Sequence, residues 1–415
     1  MNNISILRSL AHRNFRLFFL GHGLSLLGTW VQQVAISWLV YQLTGSSLQL
    51  GLVLFLGQIP ALFLSPMVGV LIDRWNRHRV IMLTQCLAML QAFTLALLEL
   101  SGQIAIWQIF PLSLFLGIVH AFDLTARQTF MHEMVEERED LGNAIALNSS
   151  LFNAARLLGP AIAGLLLGIT SPGICFLLNG LSYLGVLAAL LAMRLPPLVQ
   201  QSHAESLAAS LRAGVAYLLG HAVIRNILSL VALSGLAGAS YVVLLPELTT
   251  RFLQGDAATL GWLVSSSGSG ALCGALFIAS RRRVRGMEKW IALGPAITGM
   301  GLLILPLAAE RALAMPALVA VGFGVMIQIA ASNATIQNLV DEGKRGRVMS
   351  FYAMAYTGMT PVGHLCTGYL SSLIGPMDAL RLNGSLCLVG ALLFACWLPQ
   401  MRTLVDSGKA TGDGR

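Results

Sequence analysis

The sequence predicts an all-α membrane protein of twelve transmembrane helices in two pseudo-symmetric six-helix bundles. Three observations predict it. Hydrophobic residues make up 56% of the chain and charged residues only 11%, with a mean hydropathy of +0.75, which excludes an ordinary soluble globular domain. The 415 residues break into apolar runs of about 20 or more residues, each long enough to cross a bilayer as a helix. The two halves also echo each other: Leu50-Gly51 recurs as Leu260-Gly261, and Pro160 recurs as Pro361.

Taken in order, the first bundle (1–194) holds helices over 15–41, 48–72, 79–100, 105–127, 143–168 and 174–194. Arg8, Arg13 and Arg16 precede the first run, which is too long for a signal peptide and lacks a small-residue cleavage site, so it is read as a retained helix. A polar interval over 195–220 reads as a linker. The second bundle (221–402) holds helices over 221–250, 258–280, 288–309, 313–339, 347–374 and 380–402, and 403–415 reads as a disordered tail.

Charge sets the expected orientation. The N-terminus, alternate connections and the tail hold 22 of the 26 Lys and Arg residues; Arg251, Arg311 and Arg381 fall on the other side and Arg156 lies inside a span. The positive-inside rule then places both termini and the linker in the cytoplasm. The net charge of +8 thus belongs to membrane topology and requires no nucleic acid. Cys86, Cys175, Cys273, Cys366, Cys387 and Cys396 stand singly in apolar runs, with neither metal-ligand spacing nor a disulfide framework. No metal or other cofactor is implied. There is no phosphate loop, no nucleophile elbow and no His-rich metal helix, so neither an enzyme nor direct use of ATP is expected.

The densest charge lies between the second and third spans, in Gly69-Val-Leu-Ile-Asp73-Arg74-Trp75-Asn76-Arg77-His78-Arg79. A carboxylate here can accept from a helix N-terminus while the arginines pair with it and with nearby acids. Gly69 is expected to admit a close helix approach. A solvated basic turn is the plainer reading. The string resembles the loop motif G-x-x-x-D-R-x-G-R-[RK] of the major facilitator superfamily: Gly69, Asp73, Arg74 and Arg77 match, and Asn76 stands at a glycine position, where Asn is the next best left-handed residue. His78 takes a usually basic place, with Arg79 after it. Asn14-Phe-Arg-Leu-Phe-Phe, Trp38-Leu-Val-Tyr-Gln-Leu-Thr-Gly45-Ser46 and Arg345-Gly-Arg-Val-Met-Ser350 are similar to the branch holding enterobactin exporters and macrolide-efflux-like proteins.

The resemblance implies export of a small organic molecule by alternating access, with proton antiport as the drive. A siderophore-like anion is the leading substrate class and a drug or macrolide the alternative. Handover to periplasmic or outer-membrane export components would follow. A transport-silent receptor or scaffold would need a large soluble domain, which this sequence does not show. Gly69, Asp73, Arg74, Arg77 and Arg79, joined by Asp123 in the fourth span, become a cytoplasmic gate. Asp123 pairs either with Arg77 or with Arg127; alternatively its carboxyl carries the proton. Gly159, Pro160 and Gly164 resemble the antiporter motif of the fifth span, with Ala155 and Ala163 in place of two of its glycines. The pair Gly159-Pro160 removes a backbone donor and permits a kink.

In that fold the first, fourth, seventh and tenth helices line a central cavity. His22, Ser25, Thr29, Gln32 and Ser37, with Gln33 beside them, form a polar stripe unsuited to lipid. Gln328 and Asn333 face the same cavity from the tenth helix, and Asn153 and Arg156 from the fifth. Arg156 has no acid at matching depth, which makes an anionic substrate one partner for it and helix carbonyls the other. Interhelical hydrogen bonding is the bland alternative for each amide singly.

Overall fold

A computed structural model describes residues 7–72, 75–135, 138–194, 217–218, 220–281, 286–308, 310–340 and 342–406. Among them there is no strand. The helices run α1 (Arg13–Thr44), α2 (Ser47–Ile72), α3 (Arg77–Leu100), α4 (Ile106–Met134), α5 (Arg138–Ile169) and α6 (Pro172–Ala192). They continue with α7 (Ala222–Phe252), α8 (Ala257–Ala279), α9 (Met287–Ile304), α10 (Arg311–Leu339), α11 (342–374) and α12 (Pro376–Asp406). Eleven of these are long and apolar enough to cross a membrane. The twelfth, α11, contains a π-helical turn at Met354–Gly358. The expected twelve helices are therefore present. Most of the expected linker (195–216 and 219) and the tail beyond 406 lie outside the described residues, and α12 runs four residues past the expected end at 402.

Short turns join the helices where glycine takes a left-handed backbone. Gly45 (φ 60°) separates α1 from α2, and Gly375 (φ 83°) ends α11 one residue before Pro376 opens α12. Glycine tolerates positive φ and proline suits a first helical position, so the two residues together force a sharp stop and restart.

The chain divides into two units. The first comprises Met1–Thr44, Leu56–Ala204 and Asp256–Ser265; the second comprises Gly45–Phe55, Glu205–Gly255 and Ser266–Arg415. This differs from the expected division in two segments. The first turns of α2 belong to the second unit and the first turns of α8 to the first. In the first unit, Phe15, Phe18, Ile72, Ile81, Phe130 and Leu190 form the core. In the second, Ile224, Ile227, Val231, Ile291, Ile327 and Ile336 do so. Leu97, Leu191 and Leu392 instead stand exposed, as helices bathed by lipid require.

Glycines bring the helices of each unit close. In the second unit a Cβ built on Gly324 would lie 2.5 Å from the Gly294 carbonyl oxygen. Such contact is how membrane helices associate when lipid removes the hydrophobic drive between them. The second unit also carries irregular helix that hydropathy does not foretell. α7 contains π-helical turns at Ser234–Gly238 and Leu248–Phe252, with a 3-10 turn at Ser240–Leu244 between them. The first of these packs on the π turn of α11, where a Cβ on Gly235 would meet the Tyr356 carbonyl at 2.7 Å.

Candidate functional site

Asp73 and Arg74, the centre of the expected gate motif, lie outside the described residues. Their neighbours correct two expectations. Asn76 is not left-handed: at φ −71° and ψ 108° it caps α3, and its Oδ1 accepts from the Arg79 backbone N–H at 3.1 Å. An Asn cap satisfies one of the orphan donors of a helix N-terminus, so the residue that replaces glycine starts the helix here. Gly69 does not serve a close approach, since a Cβ there would meet nothing within 4 Å. Arg79 holds its side chain out in the open. Arg77 donates to Glu133 Oε1 at 2.7 Å, with both side chains largely buried. Sequence reasoning missed Glu133 because it ended the fourth helix at 127. The helix runs on to Met134, and two further turns carry the acid to the arginine.

Asp123 pairs with Arg127 rather than with Arg77. Its Oδ2 accepts from Arg127 Nε at 2.7 Å, and its Oδ1 accepts from Thr84 Oγ1 at 2.9 Å and Gln85 Nε2 at 2.8 Å on α3. Arg127 in turn donates to His22 Nδ1 on α1, and His22 stacks on Phe18. One carboxylate therefore ties α1, α3 and α4 together. Thr84 and Gln85 carried no sequence signal, being isolated polar residues in an apolar run.

The polar stripe of α1 separates into individual partners. Gln32 is only 5% exposed. It donates to Gln91 Oε1 on α3 at 3.0 Å and accepts from Asn179 Nδ2 on α6 at 2.8 Å. This is interhelical bonding inside the first unit, and it replaces the expected role of Gln32 in a cavity wall. Thr29 and Ser37 turn back onto their own helix, donating to the Ser25 and Gln33 carbonyls. Gln33 stays partly exposed. On α10, Gln328 is fully buried and donates to the Leu230 carbonyl on α7 at 3.2 Å. A Cβ on Gly294 of α9 would lie 2.6 Å from its Cβ. Gln328 is thus a packing residue of the second unit, another correction. Asn333 stays partly exposed and accepts from Gln337 at 2.6 Å, one turn away.

On α5 the three motif residues face two helices. A Cβ on Gly159 would collide with Trp30 of α1, whereas one on Gly164 would lie 2.9 Å from the Gly261 Cα of α8. Pro160 offers no N–H, so the Arg156 carbonyl lacks its usual helical donor. Arg156 itself is half-buried, roughly 27 Å from the start of α5 and roughly 20 Å from its end at ~1.5 Å per residue. Among the described residues no hydrogen bond or ion pair engages its guanidinium. Asn153, one turn earlier, donates to the Ser149 carbonyl.

Comparison with known proteins agrees with this architecture. The chain is 25% identical over 381 residues to the staphyloferrin A transporter of Staphylococcus aureus, covering 91% of this chain and 95% of that one. It is 28% identical over 398 residues to the multidrug efflux pump Tap of Mycolicibacterium fortuitum, covering 91% and 93%. The enterobactin exporter EntS of Escherichia coli is 28% identical over 421 residues, covering 99% and 98%. Among solved structures, a bacterial homologue of the human lysosomal transporter Spinster superposes with a TM-score of 0.72 at 13% identity, over 95% of this chain and 98% of that one. The model of the transmembrane secretion effector family matches residues 4–410. The chain is a multi-pass membrane protein that belongs to this family, within the major facilitator superfamily.

Proposed function

We propose that this protein exports a small anionic organic molecule, siderophore-like in chemistry, from the bacterial cytoplasm by alternating access driven by proton antiport. Both termini face the cytoplasm in this reading, which the Lys and Arg distribution supports. Residues 1–194 and 221–402 act as the two bundles that rock. The observation that carries the substrate class is Arg156, a half-buried guanidinium without an ion-pair partner among the described residues. Charge within a span is costly, so such a cation is held for a ligand that neutralises it. The planar fork suits carboxylate or catecholate oxygens, a geometry that lysine does not reproduce. Arg77, Arg79, Asp123 and Glu133, with Asp73 and Arg74, form the cytoplasmic gate in this reading. Product passes to periplasmic or outer-membrane components.

The test is export of candidate metabolites by a deletion strain, measured in the supernatant under iron limitation. Loss of an iron-chelating metabolite supports the reading; unchanged supernatant with raised drug sensitivity overturns it in favour of drug efflux, the reading that similarity to Tap supports. Arg156→Lys sharpens the result. Transport of an anion, normalised to protein in the membrane, should fall far more than that of a neutral or cationic compound.

A further inference from the structure

Glu247 lies near the end of α7 and only 5% of it is exposed. Its Oε2 accepts from Ser47 Oγ at 2.5 Å and from Ser371 Oγ at 3.3 Å, and its Oε1 from Arg251 at 2.9 Å. Ser47 is the first residue of α2 and Ser371 lies near the end of α11. Both hydroxyls are themselves buried. One carboxylate therefore holds three helices of the second unit at one end. The same crossing is a backbone-to-backbone contact: a Cβ on Gly51 would lie 2.5 Å from the His364 carbonyl oxygen, and one on Gly368 would lie 2.7 Å from the Ser47 carbonyl oxygen.

No role assigned so far uses this acid. We propose that Glu247 is a proton-binding site that latches the first turn of α2 to α7 and α11, and that proton uptake releases the latch. The chemistry is a change of hydrogen-bond role. An ionised carboxylate accepts from both serines at once. A carboxyl that has taken up a proton becomes a donor at one oxygen, and the two hydroxyls, already donating, face a weaker acceptor. The groups around it leave that switch to Glu247. From α7 the charged neighbour is Arg251, whose side chain is 59% exposed. α2 brings the neutral Ser47. α11 brings the neutral Ser371 and, two turns back, the buried His364. α12, which packs on the Ser240–Leu244 turn of α7, carries Asp378 and Arg381 bonded to each other at 2.6 Å.

Hydrogen exchange by mass spectrometry on the purified full-length protein tests the latch without requiring transport. In the wild type, amides of residues 45–55 should exchange faster on acidification, after correction for intrinsic rates. In Glu247→Gln the same amides should exchange roughly tenfold faster than wild type at alkaline pH, with no further response to acid. A wild-type profile in the variant, or a retained acid response, overturns the proposal. A second arm rests on the transport reading. With the six native cysteines replaced, Ser47→Cys with Ser371→Cys should cross-link on oxidation, stop export and recover it on reduction. Failure to cross-link, or export that continues through the cross-link, overturns the latch. Absence of any export by the wild-type protein, with the exchange result intact, counts against the transport reading and leaves the proton-responsive contact standing.

Discussion

Two glycine crossings invite comparison. At Gly51, α2 meets α11, and an added Cβ would lie 2.5 Å from the His364 carbonyl oxygen. At Gly261, α8 meets α5, and an added Cβ would lie 2.6 Å from both the Gly164 Cα and the Pro160 carbonyl oxygen. The repeated Leu-Gly pair makes both. Their surroundings differ. Beside Gly51 stands a buried acid with two serine donors and an arginine. Beside Gly261 the polar contact is Ser265 Oγ donating to the Leu157 carbonyl at 3.0 Å. A shared backbone geometry therefore supports two kinds of contact, one held by an ionisable group and one by close packing of small residues.

The largest expected effect removes both crossings. Gly51→Val and Gly261→Val each drive side-chain atoms into opposing backbone, which cannot move aside as a flexible side chain does, and should cost roughly 3 kcal/mol or more. The monodisperse fraction after mild heating in detergent measures it. Tolerance at one glycine alone would break the equivalence of the crossings. Glu247→Ala comes next. Two buried hydroxyls lose their acceptor, at about 1–3 kcal/mol, and the thermal midpoint should fall accordingly. Ser265→Ala removes one neutral hydrogen bond to a helical carbonyl, and should cost about 1 kcal/mol or less by the same measurement. A larger loss there than at Glu247 would reverse the assignment of the two sites. Arg251→Ala is the smallest: the guanidinium is 59% exposed, so water screens its pull on the buried carboxylate, the loss should be about 0.5 kcal/mol, and added salt should reduce the difference.

Much of the architecture was legible because hydropathy is a local property. Each span announces itself by its own residues, and α11 was found from 347–374 although a π turn divides it. The helix-5 string Gly159-Pro160 and Gly164 was legible for a similar reason, since small residues in a membrane helix mark where another helix comes close. Partners were harder. Sequence spacing links Asp123 to Arg127 one turn later, and that pair did form; it links Arg77 to no acid. Glu133 reached Arg77 only because α4 continues past the apolar run. Gln32 and Gln328 were read as cavity residues because a polar residue in an apolar span suggests water or substrate; each instead bonds inside its own unit.

The sequence by itself determined that the chain crosses a membrane, how many times, and where small residues let helices touch, because burial in lipid is dictated residue by residue. The tertiary structure alone decided which polar groups meet. Rotation and depth of each helix place Ser47 and Ser371, more than 300 positions apart in sequence, on a single carboxylate of α7. Spacing along the chain carries no record of such an encounter, since it depends on how three helices cross.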